Sequence, residues 1–197
     1  MGHSVLVTAP AVVAISTDDA KDHLRVTHSD EDSYIDLITA AALGWCENFT
    51  NSRMITQTWD LFHDAFPGVS GIRLPGGRLQ SVTSVKYTAS DDSQTTVATS
   101  VYDVATWERP GRIVLSYGQC WPTATLRTTG GVEVQYVVGY GDAATDIPEP
   151  LIQAMKLTIG HLYNNRESIV VDRGSVQVIE VPDSAKALAW PYRIVNI

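Results

Sequence analysis

Two stretches, residues 30–49 and 149–165, carry the same repeat of apolar side chains at steps of three and four. In the first, Ile35, Ile38, Ala42, Trp45 and Phe49 fall on one helical face; in the second, Leu151, Met155, Ile159 and Leu162 do, widened by Ile152 and Tyr163. Helices of this length are marginal alone in water, so each needs a partner for its apolar face. The economical solution is that they pack on each other, although everything between them in the chain reads differently. Residues 54–66 alternate, with Ile55, Gln57, Trp59 and Leu61 on one side and Thr56, Thr58, Asp60 and Phe62 on the other. Further β-prone runs follow at 71–74, 81–88, 102–104, 112–115 and 132–140, separated by Pro67-Gly68, Pro75-Gly76-Gly77, Ser90-Asp91-Asp92-Ser93, Pro110-Gly111 and Gly130-Gly131. Short strands with no helix between them predict an antiparallel sheet or small barrel.

The helix boundaries have local causes. Ser16 or Thr17 caps a first short helix over 17–26, with Asp18 and Asp19 at its positive end. Ser29 caps the second, whose first turn gathers Asp30, Glu31 and Asp32, with Asp36 one turn on. Pro148 and Pro150 suit a helix start. A last short helix is expected over 183–189, after a β-prone piece at 176–181. The fold class is therefore α+β. It has a helical core (17–26, 30–49, 149–165 and 183–189) and an inserted antiparallel β-region over about 54–140. By domains, 1–53 with 141–168 form the core, 54–140 the insertion, and 169–197 a C-terminal extension.

Composition narrows the function. The 22 acidic and 14 basic residues leave a net charge of −8. Gripping a phosphate backbone needs clustered Lys and Arg, and anionic lipid repels such a chain. The chain reads as soluble and assembled inside the cell, with Cys46 and Cys120 reduced. Motifs for chemistry are missing from the sequence. There is no GxxxxGK[ST] loop, no GxGxxG after a strand and no GxSxG elbow. The five histidines include no i, i+4 pair. The Asp30–Asp36 cluster fails as a calcium loop because Ile35 stands where the turn glycine belongs. No catalytic residue, metal site or cofactor is expected. The aromatics stand out instead. Trp107 and Trp121 lie beside loops, where each either covers its own sheet edge or anchors an interface. Trp190-Pro191-Tyr192 near the C-terminus reads as an interface element, because two aromatics in a frayed tail are unfavourable surface.

Several segments, in this order and spacing, resemble the head–tail connector (head-completion or adaptor) proteins of tailed bacteriophages, found also in prophages and gene transfer agents. They are Asp19-Ala20-Lys21-Asp22-His23-Leu24-Arg25-Val26, Asp30-Glu31-Asp32-Ser33-Tyr34-Ile35, Ile55-Thr56-Gln57-Thr58-Trp59, Leu79-Gln80-Ser81-Val82 and Pro110-Gly111-Arg112-Ile113. They continue with Gly139-Tyr140-Gly141-Asp142 before Ile147-Pro148, His161-Leu162-Tyr163-Asn164-Asn165-Arg166-Glu167 and Pro191-Tyr192-Arg193. The resemblance covers nearly the whole chain after residue 16. It implies a non-enzymatic virion protein of the neck, assembled in the host cytoplasm into a ring, usually of twelve copies, beneath the portal protein. Its partners would be the portal, neighbouring copies, stopper or tail proteins, and DNA passing without sequence-specific contact; membrane is not among them. On this reading Trp190, Pro191, Tyr192, Arg193 and Ile194 dock to portal, and deleting 190–197 abolishes attachment while leaving the fold intact. Some of Asp30, Glu31, Asp32 and Asp36 face the channel, and Trp107 and Trp121 meet neighbours. The alternatives are another neck component, such as a stopper or tail-completion protein, and a small hydrolase.

Overall fold

A computed structural model describes residues 2–68, 71–166, 169–172, 175–178 and 181–195. The chain is mixed α+β and divides into two compact units. One comprises the residues up to 11 together with 51–142, and the other 12–50 together with 143–195.

The first unit is built of two antiparallel sheets. Its strands are β1 (His3–Thr8), β2 (Gln57–His63), β3 (Ile72–Leu74), β4 (Leu79–Thr88), β5 (Gln94–Thr96), β6 (Tyr102–Ala105), β7 (Gly111–Leu115) and β8 (Val132–Val138). The larger sheet runs β1-β2-β8-β4-β5 and the smaller β3-β7-β6. Strand β8 lies at the centre of the larger sheet, and its alternation is strict. Val132, Val134, Tyr136 and Val138 are buried, while Glu133, Gln135 and Val137 take the other face. The buried set joins Leu61, Ile72, Leu74, Leu79, Val85 and Ile113 in one core shared by both sheets. Burial raises the Tyr136 pKa, and its hydroxyl bonds to Ser4, which ties β1 to the core.

Gly139 ends β8 at φ 137°, and a Cβ there would stand 2.7 Å from the Ile55 carbonyl and the Thr56 nitrogen. Neither the dihedral nor the space admits a side chain. Gly139→Ala is expected to cost about 2–3 kcal/mol, the scale of a strained backbone position, read as a lower midpoint in urea unfolding.

The second unit holds α1 (Thr17–Leu24), α2 (Asp32–Thr50), α3 (Glu149–Asn164), α4 (Asp183–Ala189) and the hairpin β9 (Ile169–Asp172)–β10 (Ser175–Val178). Helices α2 and α3 pack on each other, with α1 and α4 against them. Helix α1 stops earlier than its sequence pattern predicts because Arg25 turns left-handed (φ 61°), its N–H donating back to the Asp22 carbonyl. On α2 the buried line is Ile35, Ile38, Ala42, Cys46 and Thr50. This corrects the expected face in its last two turns. Trp45 and Phe49 are half-buried at the rim, and Cys46 and Thr50 point inward. Both inward groups are accommodated. The Thr50 hydroxyl donates to the Cys46 carbonyl at 2.7 Å. Burial pushes the Cys46 thiol up to about 12, which leaves it unreactive. The expected β-piece at 176–181 is the second strand of the hairpin up to Val178; residues 179–180 lie outside those described.

Candidate functional site

The rotation of α2 leaves an aromatic platform at its C-terminal end. Trp45 and Phe49, one turn apart, stack with centroids 5.4 Å apart. After α4 the chain makes a single 3₁₀ turn, Trp190–Tyr192, which brings it back over this platform. The Trp190 ring lies 6.2 Å from Phe49, tilted. The Arg193 guanidinium stands 5.3 Å from both rings, a cation–π arrangement. The Ile194 N–H then donates to the Thr50 carbonyl at 2.9 Å, satisfying one of the acceptors that a helix end leaves open.

Of the five residues expected to dock, Trp190 is 62% exposed and Ile194 only 8%. Pro191 and Arg193 are exposed and Tyr192 half-buried. Ile194 fills its own unit. Removal of 190–197 would also strip Phe49 of its cover and reopen the end of α2, so it would not leave the fold untouched.

At the other end of α2 the acidic cluster is largely engaged within the unit. Glu31 accepts from the Tyr163 hydroxyl and from Arg166, both brought by the end of α3. The Arg166 guanidinium also lies 4.5 Å from the Tyr34 ring and 5.7 Å from Tyr163. Tyr34 in turn donates to the Leu162 carbonyl at 3.1 Å. Asp32 pairs with Lys21 at 2.8 Å, and Asp36 accepts from the Thr17 hydroxyl at 2.6 Å. Asp30 alone of the four turns its side chain fully outward, 90% exposed. The clasp of Tyr34, Tyr163 and Arg166 escaped the sequence reading. Its signal was the repeated spacing of three, Glu31 to Tyr34 and Tyr163 to Arg166, at two helix ends far apart in the chain.

The Tyr163 hydroxyl, and after it Arg166, holds the Glu31 carboxyl below its ordinary range, and Glu31 raises Tyr163 in return. A depressed carboxylate adds stability above its unfolded pKa of about 4.3, and that contribution is lost as pH falls through the folded value. The melting difference between wild type and Glu31→Gln is therefore expected to be widest near neutrality and to close at acid pH. A gap that persists unchanged below pH 3 would remove the ionic clasp from the account.

The two loop tryptophans diverge. Trp107 is 78% exposed. Trp121 is packed inside its own unit, stacked on Phe66 at 4.9 Å with its indole N–H donating to the Gly68 carbonyl. Among the described residues no three of His, Cys, Asp or Glu converge as metal ligands. A cavity of about 660 Å³ is lined by Asp19, Thr145, Glu149 and Lys156 among aliphatic neighbours and Gln153.

No family model matches the chain, and no curated protein does. Solved structures share its fold along the whole length. A chain in the neck of an empty gene transfer agent (GTA) particle, computed with C6 symmetry, is 21% identical with a TM-score of 0.80, over 99% of this chain and 97% of that one. A chain in the virion of a native gene transfer agent particle is 23% identical, TM-score 0.79, over 98% and 96%. One in the neck of a native particle, computed with C12 symmetry, is 22% identical, TM-score 0.78, over 99% and 97%.

Proposed function

We propose that this chain is a structural protein of the neck of a tailed phage-like particle, a head–tail connector whose copies form a ring under the portal and line the DNA channel. The observation that carries the reading is the match of both units, end to end, to chains of gene transfer agent necks. One line of support is independent of it. The sequence segments that resemble connectors are spread over both units.

In this reading the helical unit builds the ring, and the sheet unit, with Trp107 exposed, meets neighbours and tail parts. Trp190, held from beneath by Phe49 and Arg193, presents its outer face to portal. A tryptophan buries about 150–250 Å² in all. The exposed part of Trp190 is thus worth a gross ~2–4 kcal/mol at ~25 cal/mol/Å², before ordering costs. That is weak singly, but a ring of linked docks binds by avidity. Asp30 is the acidic residue best placed to face a bore, since its three neighbours are bonded within the unit. Its repulsion of DNA reaches only about 8 Å at physiological salt.

The stopper or tail-completion role is the competing assignment within the neck. The purified chain, mixed with the portal of the same particle and imaged by cryo-electron microscopy, separates the readings. A ring seated directly on the portal is expected. A ring that binds only to a preformed connector would favour the stopper role, and a chain that stays monomeric with portal present would overturn the connector reading.

A further inference from the structure

Among the sheet edges of the described residues, two are set apart by their aliphatic sequence, β1 and the β9–β10 ribbon. Strand β1 is the outermost of its sheet and pairs only with β2. It reads His-Ser-Val-Leu-Val-Thr, with Val5, Leu6 and Val7 exposed at 43–49%. Solvent-facing edges are ordinarily blunted by Lys, Pro, an inward charge or a β-bulge; β1 has no Lys, Pro or inward charge, and its register shifts once, between Leu6 and Thr8. The second element is the β9–β10 hairpin, which forms a two-stranded sheet of its own among the described residues. Two-stranded ribbons are at best marginal in water. Its register pairs Ile169 with Val178, Val170 with Gln177, Val171 with Val176 and Asp172 with Ser175.

We propose that the β9–β10 hairpin of one copy adds to the free edge of β1 in the next copy, extending its five-stranded sheet across the contact. The inference rests on the ring reading above. A ring is closed by heterologous contacts, in which two different patches meet. An edge that paired with its own counterpart would instead close a dimer. The other edge of the large sheet, β5, offers only Gln94-Thr95-Thr96 and no aliphatic surface. The hairpin matches β1 in kind, because both are short, aliphatic and free of Lys, and backbone pairing of this sort adds affinity through main-chain hydrogen bonds. Pairing gives the ribbon its third strand and covers Val5, Leu6 and Val7 at once.

Rings assembled on portal from a mixture of ¹⁴N and ¹⁵N copies, with p-benzoylphenylalanine in place of Val5 or Val7, test this by photo-crosslinking and mass spectrometry. The expected product joins β1 of one isotope to residues 169–178 of the other. Separately, Val7→Lys and Val171→Lys are each expected to leave the melting temperature of the isolated chain nearly unchanged and to cut ring yield at least tenfold. Rings that crosslink from β1 only to other segments, or from β1 to β1, overturn the proposal while the connector reading stands. So do Lys variants that assemble at wild-type yield. A wild-type chain that forms no ring with portal overturns both.

Discussion

Trp121→Ala is expected to destabilise the sheet unit by about 3–5 kcal/mol, the range for truncating a buried aromatic. Its ring lies parallel to Phe66, 10° between planes, and Phe66 meets Tyr87 edge-on at 6.1 Å. Removing the indole empties one end of that row, uncovers the Phe66 face and leaves the Gly68 carbonyl without its donor. For a unit of this size each kcal/mol shifts the midpoint by roughly 4–8 °C, so calorimetry should show one transition falling far while that of the helical unit stays. Trp121→Phe keeps the stack, loses the hydrogen bond, and should cost less than half as much. If Trp121 served mainly a neighbouring copy, the isolated alanine variant would melt within a degree or two of wild type.

Trp190→Ala is expected to have the largest effect on assembly. In the isolated chain it removes one face of contact with Phe49 and Arg193, a loss on the order of 1 kcal/mol for a half-exposed aromatic pair. On the connector reading it removes about 2 kcal/mol net at each portal contact, roughly thirtyfold in affinity, a loss that a ring of such contacts would multiply. Portal decoration, counted in micrographs against a melt of the same sample, separates the two effects. Full decoration by this variant would take the docking role away from the tail. The point substitution is a cleaner probe than truncation, because it leaves the Ile194–Thr50 bond in place.

The sequence disclosed those elements whose signals are local. Caps, turn residues and period located all four helices to within two residues, and the strands from β2 through β8 apart from β5. Strand β1 was missed because Val5-Leu6-Val7 is a continuous apolar run, without alternation, ahead of Pro10. Its strand identity comes from pairing with β2 fifty or more residues away. Strand β5 is wholly polar and exists because the turn at 90–93 folds it onto β4. Trp121 sits between Cys120 and Pro122 and looks like a loop anchor; only the fold reveals Phe66 as its partner. The Glu31–Tyr163–Arg166 clasp is of the same kind. The sequence marks its acidic half and carries Tyr163 and Arg166 at matching spacing, but only the fold brings the two ends together. The exposure of Trp190, by contrast, was legible from the tail alone, while its platform on α2 was not.

The pairing of β1 with β2 also sets a timetable for synthesis. His3 must wait for Phe62, and α2 must wait for α3, some hundred residues later. At about 5–20 residues per second, the nascent chain carries a bare Val-Leu-Val strand for on the order of 3–12 seconds, and an unsheltered helix face for somewhat longer. That exposure makes the yield of usable protein a matter of translation speed and chaperone supply as much as of final stability. Slower elongation should cost this chain more than it would a protein whose neighbours in space are neighbours in sequence.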